Sequence, residues 1–209
     1  MRKLLIFAPM LMLLLTACGG GQEKDEAEAI QEQYAAVESA TLEAELTCHY
    51  AGEEREYTLL CAYTPESSTV TVMAPADLAG VSATVADGKL CLSYEDVSLD
   101  AGAGASAAAS PVTALPKLME AAATGYMTER SREMVGDRPC LRLSCDLPED
   151  SGVLYTTWFD EEALVPLKSV VALDGAVVFD VSWDRFEVVS FTHPDDGVMR
   201  ETPAETTAR

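Results

Sequence analysis

Past the first 28 residues, polar and apolar side chains mostly alternate with a period of two, and helical spacing replaces that rhythm in two places. Between Glu26 and Ala40, Ile30, Tyr34 and Val37 recur at intervals of four and three, which predicts an amphipathic helix with one apolar stripe. From Thr41 to Tyr50, Leu42, Ala44, Leu46, Cys48 and Tyr50 alternate with Glu43, Glu45, Thr47 and His49, the pattern of a strand with one wet face. A turn around Gly52 to Glu54 leads to a second alternating run at 57–63, so the two runs predict a long antiparallel hairpin. Ser68 to Ala74, Val81 to Ala86 and Lys89 to Tyr94 read as three more strands, the last two flanking Asp87-Gly88, a pair suited to a type I′ turn. Five strands pass without a crossover helix, so the sheet is expected to be antiparallel.

The stretch Asp100 to Ser110, DAGAGASAAAS, has nothing large enough to pack and is expected to form a flexible loop or lid. Pro111 then opens a second helix, with Leu115, Leu118, Met119 and Ala122 at spacings of three and four, ending near Gly125. Strand patterns resume at 126–135, 140–146, 153–160, 165–173 and 176–189, the last two around Asp174-Gly175. A two-residue turn there pairs Leu173 with Ala176, Ala172 with Val177, Val170 with Phe179, Lys168 with Val181 and Pro166 with Trp183. Val170, Val177, Phe179, Val181 and Trp183 are thereby expected on one face. Tyr155 and Phe159 point one way while Leu154 and Trp158 point the other, so this part of the sheet has apolar material on both faces. About ten strands with two short helices must curl to cover their apolar face. The expected architecture is α+β: a curled antiparallel sheet, or half-open barrel, with the helices plugging its open side.

The first eighteen residues change what this fold is for. Arg2 and Lys3 precede an apolar run from Leu4 to Leu15, the length of an export signal and too short to span a bilayer. Leu15-Thr16-Ala17-Cys18, followed by three glycines, resembles the lipobox of bacterial lipoproteins. That resemblance implies cleavage before Cys18, acylation of its thiol with palmitate or a similar chain, and an extracytoplasmic protein anchored to the cell membrane. The alternative is a plain secretory signal that happens to end before a cysteine. The expected layout is a signal peptide at 1–17, a lipidated tether at 18–28, one domain at 29–193 and a tail without periodicity at 194–209. Because the tether spans at most ~3.3–3.6 Å per residue, such a protein works beside its own membrane.

Charge narrows the partners. The chain carries 14 basic and 35 acidic residues, a net −21, and losing Arg2 and Lys3 makes it −23. Such a surface repels nucleic acid and anionic headgroups. Cys48, Cys61, Cys91, Cys140 and Cys145 remain after Cys18, an odd number. Cys48 and Cys61 share the apolar parity of a hairpin, so either they form a cross-strand disulfide or all five are small buried hydrophobes. Cys140 and Cys145, five apart on one strand, point to opposite faces.

No catalytic constellation stands out. His49 lies on the polar parity of its strand and His193 adjoins the tail, where solvated histidine is the simpler reading. Ser106 lacks a strand-turn-helix context, and no metal, nucleotide or other cofactor fingerprint occurs. Glu53-Glu54, Asp160-Glu161-Glu162 and Asp195-Asp196 fall at turns and read as solvated charge.

The lipobox, the N-terminal helix, the antiparallel meander, the helix opened by Ser110-Pro111, and Trp158-Phe159-Asp160 with Val165-Pro166-Leu167-Lys168 and the Asp-Gly hairpin resemble the LolA/LolB-type lipoprotein carrier superfamily, and most of all its lipid-anchored members. The resemblance implies an unclosed barrel with a helical lid that holds acyl chains of lipids or lipoproteins. By carry-over, Leu118, Trp158, Phe179 and Trp183 would line the hollow; the alternative for each is ordinary core packing. The chain departs from the soluble carrier in having no clear counterpart of the arginine that latches its lid. Two functions follow: a tethered module binding an acyl chain or an apolar segment, or a scaffold with a packed interior that docks another envelope protein.

Overall fold

The computed structural model describes residues 26–103 and 110–190. Cys18 and the rest of the leader, Ser106, His193 and the tail lie outside the described residues. Two helices, α1 (Glu26–Ala35) and α2 (Pro111–Thr124), accompany eleven strands: β1 (Val37–Tyr50), β2 (Glu53–Tyr63), β3 (Ser67–Ala74), β4 (Ser82–Ala86), β5 (Lys89–Tyr94), β6 (Val97–Ala103), β7 (Tyr126–Val135), β8 (Arg138–Asp146), β9 (Val153–Asp160), β10 (Pro166–Leu173) and β11 (Ala176–Ser190). They form one antiparallel sheet in the order β6-β5-β4-β3-β2-β1-β11-β10-β9-β8-β7. The sheet does not close: β6 and β7 are its edges, and the first and last strands of the chain meet at its centre.

Local chemistry explains most of this order. Asp87-Gly88 and Asp174-Gly175 both take positive φ at both positions, as a type I′ turn requires, and each joins adjacent strands. Ala51-Gly52 does the same between β1 and β2, one residue earlier than expected, so Tyr50 pairs with Glu53. Helix α1 stops at Ala35, and Val37 is buried as the first residue of β1 opposite Ser190. A β-branched residue that suits either a helical stripe or a strand face has gone to the strand. At the end of α2, a Cβ on Gly125 would collide with the Ala121 carbonyl and lie 2.8 Å from Cys145 Cβ, so only glycine lets the chain turn into β7 there.

Three sequence expectations need correction. Asp100 to Ala103 complete strand β6, paired with β5, rather than opening a loop; residues 104–109 lie outside the described residues. The β10–β11 register begins as expected, then a bulge pairs Val171 with Phe179 and Ser169 with Val181. Val178 is the extra residue, so Val170 faces Asp180, Lys168 faces Ser182, and Val177 is 45% exposed. A possible Cys48–Cys61 bridge fails on register: Cys48 faces Arg55 and Cys61 faces Leu42. The two cysteines are thus six strand residues apart, ~20 Å, against the ~4–7 Å between Cα atoms that a disulfide tolerates.

The inner face of the sheet is filled by the protein itself. Leu42, Leu46, Leu59, Val70, Leu143, Phe159, Val171, Phe179 and Val181 meet Ile30 and Tyr34 of α1 and Leu115, Leu118 and Met119 of α2 in one core. Tyr34 packs edge-on against Phe159 with ring centroids 5.3 Å apart, and Phe186 bridges Tyr34 to Trp183 at 5.7 and 5.9 Å. Ala121 and Ala122 let α2 approach Leu143, Cys145, Tyr155, Thr157 and Phe159 so closely that the space left there is about 10 Å³, room for at most a single water.

Candidate functional site

The other flank of α2 is open. Thr113, Pro116, Lys117, Glu120, Ala123 and Thr124 recur at helical spacing along it, and they form one wall of a groove of about 700 Å³. The facing wall consists of Tyr34 and Ala35 at the end of α1, the β2–β3 turn from Tyr63 to Ser68, and the β4–β5 turn from Val85 to Gly88; Glu149 closes one end. The β2–β3 turn is held by Thr64, whose hydroxyl donates to the Ser67 carbonyl at 2.8 Å and accepts from the Ser67 N–H at 3.0 Å. Gln31 ties α1 to the exit of α2 by donating from Nε2 to the Gly125 carbonyl at 2.8 Å. Both walls therefore rest on fixed backbone.

Charge in the groove centres on Lys117. Its Nζ lies 3.0 Å from Glu120, 3.1 Å from Glu149 and 3.3 Å from Asp150. Burial works to lower the lysine's pKa, but the hydrogen bonds to Glu120 and Glu149 and the neighbouring negative charges outweigh it and raise it. For Glu120 burial dominates, so its pKa is raised despite the lysine. Asp150 also accepts from the Tyr155 hydroxyl at 2.7 Å, and burial followed by that bond raises the Tyr155 pKa. The lysine and its carboxylates fasten α2 to the turn between β8 and β9. Across the groove, burial and then the charges of Glu120, Cys61 and Glu66 push the Tyr63 phenol up to about 12.

The residues expected to line a hollow do not converge. Leu118 and Phe179 are core residues, and neither borders the groove. Trp183 is on the inner face, packed on Phe186, with Nε1 donating to Ser169 Oγ at 2.9 Å. Trp158 lies on the opposite face, as its parity with Phe159 demands. There it sits between the cations of Arg142 and Lys168, 5.5 and 5.6 Å from its ring, and donates to Glu133 at 2.8 Å. It cannot line the interior. Sequence reasoning missed Tyr34, Tyr63, Lys117 and Glu120 as site residues. The signal was available for the last two, as the polar stripe of α2 beside the apolar one.

The remaining candidates are dispersed. His49 lies on the outer face between Asp180 at 3.0 Å and Glu54 at 3.3 Å. Asp160 is more ordered than a solvated turn residue: its carboxylate accepts from the Ala163 and Glu162 N–H groups at 2.9 and 3.0 Å. Cys48, Cys61, Cys91, Cys140 and Cys145 are free thiols. Cys145 faces the core and Cys140 the other side of β8. Burial pushes the Cys61 thiol up to about 12 and Cys145 to about 11, so both stay protonated at neutral pH. Among the described residues no helix is long and apolar enough to cross a membrane, and no group of three or more metal-ligating side chains is assembled.

No family model matches the sequence, and no curated protein matches it. Solved structures similar to the chain include a DUF1329 family protein from Desulfovibrio piger, 13% identical with a TM-score of 0.49, covering 84% of this chain and 92% of the other. A LolA superfamily protein from Nitrosomonas europaea is 14% identical with a TM-score of 0.45, covering 79% and 94%. Lipoprotein LppX from Mycobacterium tuberculosis is 13% identical with a TM-score of 0.43, covering 78% and 94%. The unclosed antiparallel sheet, with one helix before it and one between β6 and β7, agrees with the half-open barrel with helices that the sequence pattern predicts.

Proposed function

We propose that this chain is a non-enzymatic, extracytoplasmic binding module, tethered to the cell membrane through lipidated Cys18, that holds one apolar chain or segment beside α2. The observation that carries this reading is the groove of about 700 Å³, within the ~300–1,000 Å³ range of small-molecule sites. Tyr34, Tyr63, Pro65, Val85, Pro116 and Ala123 supply its apolar surface. The occupant lies between the helical lid and the sheet's turns, and the barrel centre stays closed. Acyl chains of lipids or lipoproteins are the ligands of this reading.

Two mass measurements test it. The mature N-terminus should carry a diacylglyceryl or larger lipid on Cys18. Cys18→Ser protein purified without detergent should release about one apolar molecule per chain on solvent extraction, and Ala123→Trp, which fills the groove, should release none. Lipid-free protein that also fails to bind an added alkyl probe would overturn the reading.

A second reading, a scaffold docking another envelope protein, is favoured by the roughly 10 Å³ left between α2 and the sheet. Pull-down from membranes separates the two: a carrier recovers lipid or lipoprotein, a scaffold one stoichiometric protein.

A further inference from the structure

Lining the groove are four carboxylates, Glu66, Asp87, Glu120 and Glu149, and one basic side chain, Lys117. That lysine is not available to a ligand. Its ammonium has three N–H donors, and Glu120, Glu149 and Asp150 stand within 3.3 Å of it. Glu66 and Asp87 are exposed and project from two turns across the groove from α2. Among the described residues lining the groove, an anionic headgroup finds no spare cation, meets two like charges on the facing wall, and must displace carboxylates to reach Lys117. A cationic headgroup finds an excess of negative charge from both walls. The field extends to the groove wall at Tyr63, whose phenol pKa is pushed up by burial first and then by the charges of Glu120, Cys61 and Glu66. A net charge of −21 over the whole chain acts in the same direction.

We propose that the groove selects a cationic amphiphile: one apolar chain against Tyr34, Val85, Pro116 and Ala123, with an ammonium head beside the Glu66 and Asp87 carboxylates. The inference rests on the groove being the binding site and goes further in naming the ligand's charge. A volume of about 700 Å³ suits a single-chain small molecule better than a folded partner, so the occupant is an amine-bearing lipid.

The test compares three probes of equal chain length, dodecylammonium, dodecanol and laurate, in competition with a neutral fluorescent alkyl probe on the Cys18→Ser chain. At low ionic strength dodecylammonium should bind about tenfold more tightly than dodecanol, and laurate more weakly than either. The spread should collapse at about 0.5 M salt, where screening acts over a few ångströms. The double variant Glu66→Gln with Asp87→Asn should lower dodecylammonium affinity more than dodecanol affinity and so narrow the ammonium preference; both positions are exposed turn residues, and asparagine tolerates the positive φ at 87. Equal affinity for all three probes, or laurate binding best, overturns the charge selection and leaves the groove as the site. Failure of all three to bind overturns the proposed function itself.

Discussion

The two flanks of α2 differ by a factor of about seventy in the space beside them, roughly 10 Å³ toward β8 and β9 against about 700 Å³ toward the β2–β3 and β4–β5 turns. The difference comes from side-chain size and backbone position. On the closed flank Ala121 and Ala122 admit the helix to a wall of Leu143, Tyr155 and Phe159, and the large residues Leu115, Leu118 and Met119 fill what remains. On the open flank the stripe from Thr113 to Thr124 is small or polar, and the facing wall is made of turns that stand away from it. A half-barrel does not imply a hollow. Here the protein's own helices occupy the concave face, and the open space lies at the side of α2.

The largest expected effect breaks the closed flank. Phe179→Ala removes a ring at the centre of the packed face and should cost about 3–5 kcal/mol in urea unfolding, with no gain in alkyl-probe affinity. A stable Phe179→Ala protein that binds the probe better would mean that the interior is the true pocket. Next is the fastening between the flanks. Lys117→Met leaves Glu120, Glu149 and Asp150 facing one another and should cost about 1–2 kcal/mol, since the site is only half-buried. Its alkyl-probe affinity should change as the groove widens, whereas a surface ion pair of no consequence would change neither.

The alkaline limb of stability follows from the raised pKa values of buried thiols and phenols: Cys61, Cys145 and Tyr63 at about 12, 11 and 12, with Tyr34 and Tyr155 also raised. Each folded value exceeds the unfolded one, so the unfolded chain loses its protons first and binds fewer of them. Stability is therefore complete below the unfolded pKa values of about 8.5 for thiols and 10 for phenols, and declines as pH rises toward 12. Tyr63→Phe should flatten the part of that decline above pH 10, measured by urea midpoints. An unchanged slope would show that Tyr63 is solvated and that the groove wall is misplaced. The smallest effect concerns the outer face. Trp158→Phe removes the bond to Glu133 and weakens two cation–ring contacts, costing about 0.5–1 kcal/mol without altering ligand binding.

The fold was largely legible because ten of the eleven strands showed themselves as strand-like runs between turn residues, in β1 and β3 with clear alternation. Strand β6 did not, since Val97 and Leu99 are more than 60% exposed and backbone pairing with β5 holds the strand. The bulge at Val178 was invisible for a related reason: one extra residue reverses a face without changing composition, and Val177 moved from the core to solvent. The site was less legible. Large aromatics drew attention to Trp158, Phe179 and Trp183, yet Phe179 and Trp183 pack the inner face and Trp158 lies on the outer one. The groove depends on how far two turns stand from a helix, a tertiary distance that no local pattern encodes.

The most direct test of the account is to locate a bound chain. An alkyl probe with a photoreactive terminus, irradiated with the Cys18→Ser protein and mapped by peptide mass spectrometry, should label Tyr34, Tyr63, Pro116 or Ala123. Labelling of Leu143, Tyr155, Thr157 or Phe159, with the groove residues unmodified, would contradict it and return the ligand to the barrel's interior.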